Sequence, residues 1–278
     1  MATIATRRRG VIARIGAAAY AATVTLGDLA IFSMRTFSWL AFRRPCRGTL
    51  LSTCYSIGVR SVPVVVITGA FIGMVMAVQS YSMFHDLGMA SRLGAIINVS
   101  VIRELGPALA ATMLAGRVGS AMAAELATMR ITDQIDALAC LGVNPVHYLV
   151  VPRFVACVLL VPLLTVLANG MGVLGGALIC TRIYQVDAYY YWNHASDMVD
   201  WWDLTVGLIK PVCFGAAISL ICCYRGFHGQ AGAQGVGRAA TDAFVSSFIA
   251  VLVLDFFLAM FLNKLHAIIW PATATRFI

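Results

Sequence analysis

Five stretches of about 20 mainly apolar residues constrain this chain more than any other feature, because about 20 residues of helix cross the roughly 30 Å hydrocarbon core of a bilayer. They run approximately from Ser61 to Ser80, Leu93 to Ala115, Tyr148 to Cys180, Leu204 to Tyr224 and Ala243 to Leu262. Within a membrane every backbone polar group must be satisfied internally, so such a chain folds as a helix bundle. Composition agrees: 60% of the 278 residues are hydrophobic and 12% charged, with a mean hydropathy of +0.86, against about a quarter charged in soluble domains. The third stretch is long, but Pro152, Pro162 and the run Asn169-Gly170-Met171-Gly172 offer places to kink or tilt rather than cross twice.

The predicted fold is all-α: about five transmembrane helices, an N-terminal interfacial helix and a short cytoplasmic helix. Residues 1–60 form a basic N-terminal region and 61–278 the membrane domain; nothing points to a second, soluble domain. The net charge of +8 does not indicate nucleic acid. Nine arginines precede the first clear span, from Arg7, Arg8, Arg9 and Arg14 through Arg35 to Arg43, Arg44, Arg47 and Arg60, which is how a membrane protein marks its cytoplasmic face. Arg117, Arg130 and Arg153 fall around the second loop and Arg225 and Arg238 in the fourth, whereas the third loop carries Asp187, Asp197, Asp200 and Asp203 against Arg182 and Lys210. An N-in, C-out topology follows. Val11 to Phe42 is apolar enough to be a sixth span, but contains Asp28 and Arg35 and is flanked by basic clusters on both sides; a helix lying in the inner interface is favoured. The eight cysteines show no metal-ligand spacing and read as small core residues, and the five histidines show no ligand spacing either.

Arg103, Glu104 and Pro107 lie within the second span. Ionisable residues at this depth cost a few kcal/mol each and mark a substrate path or a buried pair. Pro107 has no N–H to donate, so the helix is expected to bend there. The two charged side chains, being adjacent, should point about 100° apart and so should not both face the interior. Asp255 in the last span is either a proton-relay group or a bond to another helix. After the second span, Ala123 to Leu141 places Leu126, Met129, Ile131, Ile135, Leu138 and Leu141 against Glu125, Arg130, Asp133, Gln134 and Asp136, the spacing of an amphipathic helix. Thr132 is positioned to cap a helix starting at Asp133, and Gly142 with Pro145 to end it. Its acidic residues suit a protein partner better than an anionic lipid surface. The Gly-rich stretch Gly226 to Arg238 lacks the GxxxxGK[ST] pattern and follows a membrane helix, so it reads as a tight turn rather than a phosphate loop.

The motifs Arg103 to Pro107, Ala115-Gly116-Arg117-Val118-Gly119, Ala124-Glu125-Leu126 with Met129-Arg130, Gln134 to Leu138 with Leu141-Gly142, and Gly232 to Arg238 together resemble the MlaE/YrbE permease family of ATP-binding-cassette (ABC) transporters, over about Ser61 to Leu262. One departure is Gln234, where many members carry Glu before the Gly-Val pair. The resemblance implies a non-enzymatic permease subunit in a bacterial inner membrane, moving phospholipid or another lipid to or from a periplasmic MCE-domain protein. It implies no cofactor in this chain, ATP being bound by a separate ABC ATPase subunit, and a second permease copy, identical or a paralogue. Arg103, Glu104, Leu105, Gln79, Met74, Val78 and Leu109 are the expected lipid-binding residues; Glu125, Arg130, Asp133, Gln134, Asp136 and Leu138 are the expected contacts to the ATPase. No catalytic or metal-binding residue is expected. The rival readings are a proton-coupled secondary transporter, with Glu104 and Asp255 as relays, and a non-transporting membrane scaffold.

Overall fold

In the computed structural model, residues 11–42, 47–86 and 93–269 are described; Arg7, Arg8, Arg9, Arg43 and Arg44 of the basic clusters lie outside them. The described residues are helical apart from short connections, and include five helices long and apolar enough to cross a membrane. We number the elements α1 (Val11–Phe42), α2 (Gly48–Phe84), α3 (Leu93–Ile131), α4 (Gln134–Cys140), α5 (Val146–Ile183), α6 (Ala188–Met198), α7 (Trp201–Phe227) and α8 (Ala233–Ile269). The five spans α2, α3, α5, α7 and α8 are the five apolar stretches, each longer than its run of apolar residues. Helix α2 starts at Gly48, ahead of the expected Ser61, with a single tight turn at Val59–Ser61, and α3 continues past its apolar stretch as far as Ile131.

Helix α5 occupies the middle of the bundle, packed against α2 on one side and α7 on another, while α3 packs on α7 and α8. Burial follows this order: 61% of the most apolar stretch is buried in α5 and in α7, against 28% in α2 and 17% in α8. Helix α5 crosses once. Its Pro162 sits inside the unbroken helix, and the expected kink at Gly172 is instead a packing contact. A Cβ on Gly73 of α2 would overlap the carbonyl oxygen of Gly172, one on Gly175 would overlap that of Ala70, and one on Gly69 would overlap Ala168. Small residues at four-residue spacing bring two backbones together where lipid supplies no hydrophobic drive between helices.

Helix α1 is not among the five apolar spans. It packs along the end of the bundle that carries α4, burying Phe32 and Thr36 and leaving Tyr20, Leu26, Met34 and Phe42 exposed. Phe32 meets Tyr224 and Phe227, and Phe37 meets Phe154 edge-on. At the opposite end α6 lies against the start of α3, with Tyr191 fully buried beside Leu93 and Ile97. Its neighbours Tyr189, Tyr190 and Trp192 stay exposed, so the aromatic loop divides into one core residue and a surface belt. Seven cysteines among the described residues are free thiols, four of them buried, and no metal-holding cluster occurs among those residues.

Candidate functional site

Helix α3 does not stay α-helical through its charged pair. Val101–Leu105 forms one π-helical turn, closed by the Gly106 N–H bonding to the Val101 carbonyl five residues back, and Ala115–Gly119 forms a second. Single π-turns inside α-helices recur at functional sites. Here the cause is local. Pro107 has no N–H, and in the register set by Gly106 its missing bond would have gone to the Ile102 carbonyl. Asn169 of α5 fills that place, donating from Nδ2 to the Ile102 oxygen at 3.4 Å. Gly106 makes room for it, since a Cβ there would overlap the Asn169 side chain.

The turn sends both charged side chains to the seam between α7 and α8, correcting the expectation that they diverge. Arg103 pairs with Asp203 of α7 at 3.5 Å and donates to the side-chain oxygen of Asn263 on α8. Glu104 pairs with Lys210 of α7, and the same ammonium reaches Asp255 of α8 at 3.0 Å. Lys210 is fully buried, whereas the Glu104 and Asp255 side chains are 40% and 22% exposed. The cluster therefore has a closed cationic centre and carboxylates that reach the surface of the bundle. At 1.5 Å per residue, Glu104, Lys210 and Asp255 lie roughly 17, 14 and 21 Å in from the α6-side ends of their helices, near the middle of a bilayer about 30 Å thick. The Arg103 pair sits nearer that end, where Arg103, Asp203, Asn263 and His266 line a cavity of about 560 Å³.

Lys210 had been assigned to the outer loop; it is instead the hub of the membrane-embedded network. Asp203, assigned to the same loop, is buried in the first turn of α7, where it forms a capping box with Asp200. Asp255 bonds a neighbouring helix, the second of its two expected roles. The expected lipid-binding residues separate into two groups. Arg103 and Glu104 join the cluster, with Leu105 half-buried beside them and Leu109 exposed a turn further on. Met74, Val78 and Gln79 belong to α2; Met74 packs against the group that includes Val101 and Ile97, and Val78 and Gln79 face outward.

At the other end of the bundle, the predicted amphipathic helix is two pieces. Helix α3 ends at Ile131, Asp133 takes a left-handed backbone (φ 55°), and α4 begins at Gln134, not at Asp133. Thr132 caps nothing: its hydroxyl donates back to the Thr128 carbonyl at 2.9 Å. The end of α4 is as expected. Gly142 (φ 76°) is left-handed, with Gly142 N–H on the Ala139 carbonyl and Val143 N–H on that of Leu138, each at 3.0 Å, a Schellman motif that uses glycine's freedom. Ile135 is buried with Leu126, Leu149 and Tyr224, and Leu138 packs on the same group. Leu141 does not join them; it is 78% exposed. Gln134 and Asp133 face outward, Arg130 pairs with Asp136 at 2.6 Å, and Glu125 binds the buried Arg153 of α5 at 3.0 Å. That last pair ties the end of α3 to the start of α5, so α4 is the tip of a braced hairpin.

Residues 50–261 match the MlaE permease family. The chain belongs to the MlaE permease family. Among relatives, it is 41% identical over 234 residues (84% of this chain, 90% of the relative) to a probable ABC transporter permease protein of Rickettsia prowazekii. It is 39% identical over 213 residues (77% and 81%) to a probable ABC transporter permease protein of Synechocystis. It is 34% identical over 210 residues (75% and 80%) to the intermembrane phospholipid transport system permease protein MlaE of Haemophilus influenzae. All five spans and α4 of this MlaE-family permease fall within the matched region or overlap its ends, whereas α1 precedes it.

Proposed function

We propose that this MlaE-family chain is the membrane subunit of an ABC-type complex that moves phospholipid between a bacterial inner membrane and a periplasmic MCE-domain protein. The observation that carries it is the Glu104–Lys210–Asp255 cluster, which puts a buried ammonium and two partly exposed carboxylates at mid-membrane depth beside Arg103. A lipid in transit needs a polar group for its head and apolar walls for its chains. Arg103 and Glu104 supply the first, with Gln79 entering from a second permease copy or from a shifted α2. Leu105, Leu109, Met74 and Val78 supply the second. The printed name of the Haemophilus relative, which specifies phospholipid transport, supports this choice of cargo.

ATP is taken by a separate ABC ATPase. It docks on α4 through Gln134, Asp133, Asp136 and Arg130 on the surface, with the exposed Leu141 fitting an apolar pocket of the partner; Leu138 and Glu125 hold the helix in place from within. Because α3 carries both the charged π-turn and, at its far end, the hairpin leading to α4, a displacement of α4 is transmitted along one continuous helix to Arg103 and Glu104. The ion pairs at the α7–α8 seam can then exchange partners as lipid enters or leaves, which is differential binding between two states. The test is a gentle solubilisation of native membranes, capture of this chain and mass spectrometry of what accompanies it. An ABC ATPase, an MCE-domain protein and phospholipid are the expected companions. A chain recovered without an ATPase in several detergents overturns the reading and favours a proton-coupled transporter with Glu104 and Asp255 as relay groups.

A further inference from the structure

Gly170 stands in the interior of α5, where glycine costs helix stability, yet it serves no close packing: a Cβ built on it meets nothing within 4 Å. Its neighbour Gly172, by contrast, lies against backbone and side chain. What Gly170 does is leave space. It lines a groove of about 720 Å³ between α5 and α7 into which none of the Lys210 cluster's side chains reach, with Leu174 and Leu208 on the walls, Ile102, Asn169 and Gly207 on the floor, and Trp201 at one end.

The groove offers a ligand almost nothing polar. The Asn169 amide is spent on the Ile102 carbonyl and its oxygen is turned toward Gly106; the Thr205 hydroxyl donates to the Trp201 carbonyl at 2.8 Å. No ionisable side chain lines it. Both walls belong to membrane-spanning helices, so the medium outside is hydrocarbon, and Trp201, 85% exposed in the first turn of α7, stands where an amphipathic ring marks the membrane–water boundary. We infer that this groove is a seat for one acyl chain of a bilayer lipid, entering from the membrane side with its head near Trp201. The floor residue Ile102 belongs to the π-turn that carries Arg103 and Glu104, so a chain seated there lies directly behind the turn that presents the charged pair.

The test uses the full chain in nanodiscs of phosphatidylethanolamine and phosphatidylglycerol, doped with a phosphatidylglycerol bearing a photoactivatable diazirine at the end of one chain. Adducts are mapped by mass spectrometry. Labelling at Leu208 and Val173 is expected to exceed, by several-fold, labelling at Leu163, which is 58% exposed on α5 and reports ordinary contact with lipid. Gly170→Leu places its Cβ in open space and extends into the groove, and is expected to bring Leu208 and Val173 down to the Leu163 level. Should that variant not fold, Leu174→Trp narrows the groove from an exposed position and must give the same loss. Equal labelling of groove and Leu163, or labelling unchanged in a folded variant, overturns the seat. No ATPase or MCE protein is present, so this outcome is independent of partner capture.

Discussion

The α2–α5 interface and the α3–α7–α8 seam bring helices together by opposite means. In the first, Gly69 and Gly73 lie against Ala168 and Gly172 with no room for a single added carbon, and the contact has one geometry. In the second, the helices are joined by ionic side chains several bonds long: Glu104 and Asp255 share one ammonium, and Arg103 is divided between Asp203 and Asn263. Close backbone packing is bistable at best and tolerates little sliding. Charged side chains with more than one partner within reach can change partners while keeping each charge compensated. The difference makes the first interface the rigid frame of this MlaE-family permease, while the second is joined by ion pairs with more than one partner in reach.

The harshest way to break that comparison is to remove the shared ammonium. Lys210→Ala leaves two carboxylates facing one another at bilayer depth without a cation, and removing one partner from a buried ion network costs about 3–5 kcal/mol. Thermal unfolding in detergent should show a large drop for this variant. The triple change Lys210→Met with Glu104→Gln and Asp255→Asn removes every charge at once and should recover most of the stability while abolishing transport. A Lys210→Ala protein that melts like the wild type would show that the seam is not held by charge. Next in size is Gly73→Ala, which forces α2 from α5; overpacking of this kind costs about 1–3 kcal/mol, and the loss should appear in the melting temperature, with a milder loss for Gly69→Ala, whose added carbon overlaps the facing backbone less deeply. A Gly73→Ala variant as stable as wild type would place the rigid frame elsewhere. Glu104→Gln comes third. Lys210 keeps Asp255 as its partner and the neutral amide can still accept from the ammonium, so the melting temperature should fall less than in Gly73→Ala, to be checked by the same melt.

The frame was easier to read in the sequence than the seam. Runs of apolar residues located all five spans because burial in hydrocarbon is a property of each segment alone. Gly142 was legible as the end of α4 because a left-handed position demands glycine whatever surrounds it. Lys210 was not placed, although it lies inside the predicted span from Leu204 to Tyr224; its charge drew it into the acidic loop when the signal was an ammonium buried in the same apolar context as Glu104. The π-turn at Val101–Leu105 was only half legible: Pro107 announces a lost hydrogen bond, but the replacement donor, Asn169, is 67 residues from Ile102 and no local pattern connects them. Thr132 illustrates the same limit. Its hydroxyl could cap forward or bond backward, and the left-handed Asp133 decides between them only once the chain has folded.

Arg103→Ala is the smallest of the perturbations to stability and the sharpest for function. The guanidinium lies 3.5 Å from Asp203, a long contact for an ion pair, and also donates to Asn263, so its removal should shift the melting temperature less than the loss of Glu104 does. Asp203 keeps its place in the capping box of α7, and Lys210 keeps both carboxylates. If the seam exists only to hold helices together, this variant should copurify with as much phospholipid as the wild type. If Arg103 holds the lipid head, bound phospholipid should fall several-fold at unchanged stability, and Arg103→Lys, which keeps the charge but loses the planar fork, should recover part of it. Retained lipid in Arg103→Ala, measured by mass spectrometry of extracted protein, would leave the Arg103–Asp203 pair as a structural tie and move the head-group site away from Arg103.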